Sequence, residues 1–294
     1  MKTFFVFPSL LALCAAASPV RRQSNIDSSV LNFALTLEHL ENRFYADALS
    51  QFDDTAFTNA GFQDWVRGRI AQIAAHEASH VAYLQSALGS SATSECTYSF
   101  PYTDPASFVA LATVLEGIGV AAYTGATQLL TDKSTITSAS SILAVEARHQ
   151  GWLESAVEHG SGWNTAFETP LDVDQVYTLA ASFITSCPSS NPALPVTAFP
   201  ALSIQQASVS AGETVTLQFT TTTSSPYYAA FFTGLSTVFV PVQRDNSVTV
   251  PSGLLGTVFM VVTTSSSAVT DGNTVAGPTV LNFPYLSSVI VPSS

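Results

Sequence analysis

The sequence predicts an α + β protein of two domains: a four-helix bundle with a short extra helix, then a small antiparallel β-sandwich-like domain. Three observations predict it. Apolar residues recur with helical spacing through residues 24–187. From about residue 196 the period falls to two, in short β-branched and aromatic runs. Between the two, residues 188–200 (Pro188 to Pro200) are rich in Pro and Ser and read as a linker to a β-rich domain over 201–294.

The amino terminus reads as a leader. Met1-Lys2-Thr3 carries one Lys, and Phe4 to Ala17 is a short apolar segment ending in Ala15-Ala16-Ala17. That is the pattern of a secretory signal peptide over residues 1–17. Residues 18–23 include Arg21-Arg22 and form a candidate propeptide, an ordinary polar linker being the other reading. The expected location is extracellular or in a cell wall. Loss of the leader removes Cys14 and leaves Cys96 and Cys187, an even pair in an oxidising compartment. A bridge between them is expected; two separate buried thiols are the alternative. There is no Asn-x-Ser/Thr sequon.

Helical periodicity runs from Val30 to Leu49, Trp65 to Leu88, Phe108 to Leu130 and Ile136 to Val157, with a shorter piece from Val173 to Thr185. Asp53-Asp54-Thr55, Gly89-Ser90-Ser91, Pro101 to Pro105 and Thr131-Asp132-Lys133 read as the breaks between them. Asp27 reads as a cap for the first helix, and Asp104-Pro105 as an N-cap followed by Pro at the first helical position. The second-to-third connection, residues 89–104, is long enough when extended to run the length of a helix, so it permits a crossover. In the second half, strands are expected at Val215–Phe219, Tyr227–Phe232, Thr237–Val242, Ser247–Val250, Val258–Thr263 and Thr279–Phe283.

Composition limits the function. The chain has 294 residues, 47% hydrophobic and 10% charged, with 21 acidic against nine basic residues and a formal charge of −12. Nucleic acid is excluded as a partner, because phosphate binding needs clustered Lys and Arg. No membrane span is expected: beyond residue 20 there is no uninterrupted apolar stretch of about 18 residues.

The informative pattern lies on the four long helices. The second contains His76-Glu77-Ala78-Ser79-His80 and the fourth Glu146-Ala147-Arg148-His149, so each offers Glu-x-x-His. Residues i and i+3 share a helix face, and each pair can therefore grip one ion. Extending the stripes gives Ile73, Glu77, His80, Leu84 and Ile142, Glu146, His149, Leu153. The first helix gives Ala34, Glu38, Glu41, Tyr45, and the third Ala112, Glu116, Gly119, Tyr123. The apolar ends mark these stripes as inward-facing. Leu-Glu-x6-Tyr recurs at Leu37–Tyr45 and Leu115–Tyr123, which makes two matched helix pairs. A lone Glu is usually solvated, but buried carboxylates need a cation or a partner. Six such residues in one register point to bound metal, and an oxygen-rich set with two imidazoles suits Fe or Mn over structural Zn.

Glu from two helices plus Glu-x-x-His from the other two is the ligand pattern of ferritin-like di-iron carboxylate bundles. The stretch Leu31 to Tyr45, with Glu146-Ala147-Arg148-His149, resembles the secreted ferritin-like proteins of filamentous fungi, of the stress-response and late-sexual-development types, relatives of plant desiccation-related proteins. The resemblance covers residues 24–187, and the β-rich tail is similar to the C-terminal extension of the sexual-development type. It implies two Fe or Mn ions held by Glu38, Glu77, His80, Glu116, Glu146 and His149. Glu41 sits where the third helix has Gly119, as an extra ligand, a supporting residue, or a partner of Arg43 or Arg148. Tyr45 and Tyr123 are the candidate catalytic residues, bonding the carboxylates or redox-active; core packing is the plainer reading. His39, His76 and His159 lie off the register and are expected at the surface, Arg148 is expected to point away, and Trp65, Trp152 and Trp163 are expected to pack.

Two functions follow. One is an oxidase, ferroxidase or peroxide-handling centre whose small-molecule partner is O2 or peroxide. The other is a non-enzymatic secreted protein of stress or development, with a vestigial or structural metal site and a β-domain that binds a wall component or protein partner. Small residues beside the site (Ala112, Gly117, Gly119, Ala147) favour the first, and bulky closure the second. A storage cage is disfavoured, since the β-domain would obstruct shell packing.

Overall fold

The computed structural model describes residues 25–222 and 226–288; the predicted signal peptide and propeptide lie outside them. The bundle consists of α1 (Asn25–Gln51), α3 (Val66–Leu88), α4 (Pro105–Ala126) and α5 (Lys133–Trp152). A six-residue helix, α2 (Asp54–Asn59), joins α1 to α3, and α6 (Val173–Ala181) packs against α4 and α1. Helix α1 packs mainly on α3 and α4 on α5, so residues 89–104 cross between the two pairs.

Several local expectations change. Asp53-Asp54-Thr55 is the start of α2, because the Asp53 carboxylate accepts the Ala56 amide at 2.8 Å and Phe57 is buried beneath. Asp27 lies inside α1 and is fully buried; its carboxylate accepts the amides of Thr131 and Asp132 at 2.8 and 2.9 Å, tying α1 to the start of α5. The last helix stops at Ala181, and β-branched Ile184 and Thr185 enter strand β2 (Ile184–Ser186). Strand β2 pairs antiparallel with β1 (Thr97–Tyr98), and the Cys96–Cys187 disulfide closes the same spot, joining residues 91 apart. At the start of α4, Asp104 and Ser107 form a reciprocal capping box with Pro105 beside it. Helix α4 is long and apolar enough by composition to cross a membrane, and in the fold it is mostly buried between its neighbours. Helix α5 runs on through a π-helical turn, Leu153–Val157.

Aromatic rings dominate the bundle core at the α2 end. Phe44 stacks on Phe108 at 4.9 Å and meets Phe100, Tyr102 and Tyr45 edge-on at 5.2 to 5.5 Å. Such rings add about 0.5–1.5 kcal/mol per pair to their burial.

The second half is a two-sheet sandwich. One sheet has the order β3 (Leu202–Ile204), β4 (Thr214–Phe219), β7 (Ser247–Thr249). The other has β6 (Ser236–Val242), β5 (Tyr227–Thr233), β8 (Gly256–Thr263), β9 (Thr274–Phe283), and all pairings are antiparallel. Every residue of β8 is buried, which means both of its faces are covered. Val258, Met260 and Val262 face the sandwich core. The alternate residue Phe259, opposite Phe232 and Val280, joins the core of the helical bundle. The predicted linker is docked: Thr197 and Phe199 donate their amides to Asp174 Oδ1 and Thr178 Oγ1 of α6, at 2.8 and 2.9 Å.

Candidate metal centre

Glu38 comes from α1, Glu77 and His80 from α3, Glu116 from α4, and Glu146 and His149 from α5. All four carboxylates are completely buried at mid-bundle. The i, i+3 spacing puts Glu77 with His80 and Glu146 with His149 on the inward face of each helix. The six residues form two overlapping quartets, Glu38/Glu77/His80/Glu146 and Glu77/Glu116/Glu146/His149. Within each, the potential ligand atoms lie within 4.8 Å of one another. Glu77 and Glu146 belong to both, the place of bridging carboxylates in a two-ion site.

Both imidazoles present Nδ1 to the cluster. His80 Nδ1 is 3.1 Å from Glu77 and Glu146 and 3.3 Å from Glu38. His149 Nδ1 is 3.1 Å from Glu77 and 3.3 Å from Glu116. Some of these approaches lack hydrogen-bond geometry: Glu38 Oε2, Glu77 Oε1 and both oxygens of Glu146 are buried without a hydrogen bond. Four orphaned carboxylate oxygens converging with two nitrogens fit a pair of hard or borderline cations. By donor chemistry, the residues present suit Fe or Mn.

Proton affinities show what the cluster does without a cation. Burial pushes Glu38 up to about 7, against the pull of the nearby His80 imidazole and the Tyr123 hydrogen bond. Burial and the neighbouring Glu77 and Glu116 charges push Glu146 well above its usual range. Burial would also raise Glu77, but the close approach of the His149 and His80 imidazoles outweighs it and holds Glu77 at about 2. His149 rises to about 9 and His80 to about 12, because their carboxylate bonds outweigh burial. The metal-free site therefore stores protons that a cation must displace.

The surrounding residues sort by contact. Tyr123 donates its hydroxyl to Glu38 Oε1 at 2.5 Å, and Tyr45 donates to Glu116 Oε1 in the symmetric position. Burial holds both phenols well above 10, so they remain protonated donors at neutral pH. Glu41 is buried but belongs to neither quartet, and it pairs with neither Arg43, which holds Asp47 and Glu95, nor Arg148, which is exposed. Its Oε1 and Glu146 Oε2 lie 3.0 and 3.2 Å from the point a Cβ on Gly119 would occupy. Gly119 thus leaves the space that these two carboxylates use. Gly117 serves packing instead, since a Cβ there would meet the Gln150 amide at 3.0 Å.

Of the off-register histidines only His39 departs from the expected surface position, and the packing expected of the tryptophans holds in part. His39 is buried, with Nε2 3.3 Å from the Thr93 carbonyl. His76 is exposed yet not idle: its ring lies parallel to that of His149 at 5.2 Å, and its Nδ1 is 2.9 Å from His149 Nε2. It occupies the outer position that fixes a metal-ligating imidazole. The signal was present in the sequence as His76 one turn from His80, but its partner sits on another helix. Trp65 and Trp163 are 44% and 61% exposed; Trp65 touches Trp152 edge-on, and Trp163 is largely solvated.

The fold and the cluster define a class. Residues 26–159 match the family model described as "Ferritin-like domain", a span that contains all six candidate ligands. Most of the helical half is therefore similar to ferritin-like domains. Among curated proteins, the chain is similar to "Protein rds1" of the fission yeast Schizosaccharomyces pombe, 27% identical over 179 residues. That match covers 61% of this chain and 44% of the relative, so the chain spans under half of that protein's length.

Proposed function

We propose that this is a secreted fungal ferritin-like protein of stress or development whose bundle holds two Fe or Mn ions and acts on dioxygen or peroxide, as an oxidase, ferroxidase or peroxide-handling protein. The observation that carries the reading is the pair of overlapping quartets with their orphaned buried oxygens. Ions bound there supply the electrons for reducing a small oxidant. The protein's part is to hold them. Glu38, Glu77, His80 and Glu146 would hold one ion and Glu77, Glu116, Glu146 and His149 the other, and Tyr123 and Tyr45 would restrain Glu38 and Glu116. His76 would fix the tautomer of His149 by accepting from Nε2. The disulfide supports residence in an oxidising compartment. The β-domain would carry contacts to a wall component or protein partner.

A second reading, a metal-stabilised protein without turnover, is favoured by the complete burial of all four carboxylates. The deciding experiment is metal analysis of protein taken from its native secretion route, repeated on Glu146→Ala combined with His149→Ala. The expected result is about two ions per chain in the wild type and none in the variant. A wild type without stoichiometric metal would end the proposal. Oxygen consumption on adding Fe(II) to the metal-free protein then separates turnover from a structural site.

A further inference from the structure

A small cavity lies between α1, α4 and α6, lined by Leu37, Leu40, Glu41, Leu115, Ile118, Gly119 and Ala180. It has about 10 Å³ of room for the centre of a water-sized molecule, close to the minimum for one small guest. Its floor is Gly119, the point where the Glu41 and Glu146 carboxylates converge. Glu146 Oε2 lies behind the lining, 3.2 Å from the point a Cβ on Gly119 would occupy, and is completely buried without a hydrogen-bond partner. Ala180 closes the opposite side and is itself buried.

We propose that this cavity is the docking chamber for the centre's small co-substrate, with the Ala180 methyl on α6 and the absent side chain of Gly119 setting its size limit. The proposal rests on the metal-centre reading above. The lining selects the guest. Four aliphatic walls exclude ions and anything strongly hydrated, because nothing there replaces lost water contacts. One end is polar, at Glu41, and Gly119 there separates the guest from the Glu146 carboxylate of the ligand cluster. Dioxygen, with two atoms and little hydration, satisfies both conditions; hydrogen peroxide is too strongly hydrated and an organic substrate is too large. A second apolar cavity, lined by residues including Val30, Ala34, Tyr123 and Ala139, reaches the Tyr123 ring but none of the carboxylates. It serves as the control.

The test uses the full mature chain. Metal-free crystals under xenon pressure should show a xenon atom among Leu37, Ile118 and Ala180, and Ala180→Leu should remove it. With Fe(II) loaded, Ala180→Leu should keep wild-type metal content and react with dissolved dioxygen about tenfold more slowly or worse. Ala139→Leu, in the control cavity, should react at the wild-type rate. If Ala180→Leu does not fold, Ile118→Ala decides with the opposite sign: higher xenon occupancy and no slowing. No xenon in the chamber, or an Ala180→Leu variant as fast as wild type at full metal content, overturns the proposal. Absence of metal from the wild type defeats the metal-centre reading instead, and the xenon experiment still reports on the cavity.

Discussion

Glu146 occupies the least favourable position in the metal-free chain, with two buried oxygens and no hydrogen bond to either. Its cost without metal and its value with metal have opposite signs. Glu146→Gln should therefore raise metal-free stability by about 1–2 kcal/mol, since the wild-type carboxyl must either ionise beside Glu77 and Glu116 or take up a proton, and an amide needs neither. It should also abolish the stabilisation that added Mn(II) or Fe(II) gives the wild type; thermal denaturation with and without chelator checks both. His76→Ala should lower metal affinity about 10- to 100-fold while leaving the bundle folded, measured by competition with a metal indicator. Proton release follows from the same residues. His149 and His80 are held protonated up to about 9 and about 12, and Glu38 up to about 7, so a cation must expel their protons. Metal affinity should rise with pH across the range from 5 to 8, and a pH-stat should record protons released on loading. Affinity that falls over that range would contradict this charge arrangement. The Glu-x-x-His register was legible in sequence because i and i+3 meet on one helix. The roles of His76 and Glu41 were not, because each is decided by a residue on another helix: His149 for one, Gly119 for the other.

Among the helices, the tightest constraint is on α4. A Cβ on Gly125 would lie 1.8 Å from the Leu171 carbonyl oxygen, where the Leu171 amide donates to Ala121 at 3.2 Å. Backbone meets backbone there. Gly125→Ala should cost about 3 kcal/mol, whereas Gly68→Ala on α3, with nothing within 4 Å of the added atom, should stabilise by about 0.5–1 kcal/mol. Chemical denaturation of the two variants gives the comparison, and equal effects would refute the packing argument. The disulfide acts on a similar scale: Cys96→Ser with Cys187→Ser should cost about 2–5 kcal/mol, because it frees a loop spanning 91 residues in the unfolded chain. The long helices were legible from their period and breaks. Helix α2 and strand β2 were not. A six-residue element has too little period to detect, and β2 exists only because β1 lies beside it.

At the scale of the whole molecule, the change of period near residue 196 marked two folding patterns but gave no sign of their contact. Phe259 lies in the bundle core, and Asn164 Oδ1 accepts the Thr257 amide at 2.7 Å, with Gly256 packed against the Asn164 backbone. The interface depends on alternation within β8, which turns Val258, Met260 and Val262 to one core and Phe259 to the other; a sequence pattern reads such a strand only as apolar. The two halves should unfold in one calorimetric transition in the wild type, and Phe259→Ala should cost about 3–5 kcal/mol and split it into two. Two resolved transitions in the wild type would mean the halves are energetically independent.

The segment after the disulfide carries a further consequence. Thr197 and Phe199 are bonded along α6, and Gly277 in β9 donates its amide to Pro200 at 2.8 Å. A pull on the β-sandwich would therefore be transmitted along this strap to the helix that carries Ala180, as well as through Phe259 to the bundle core. If the sandwich is the part anchored in a matrix, tension in that matrix would bear on the helix that walls the cavity beside Glu41.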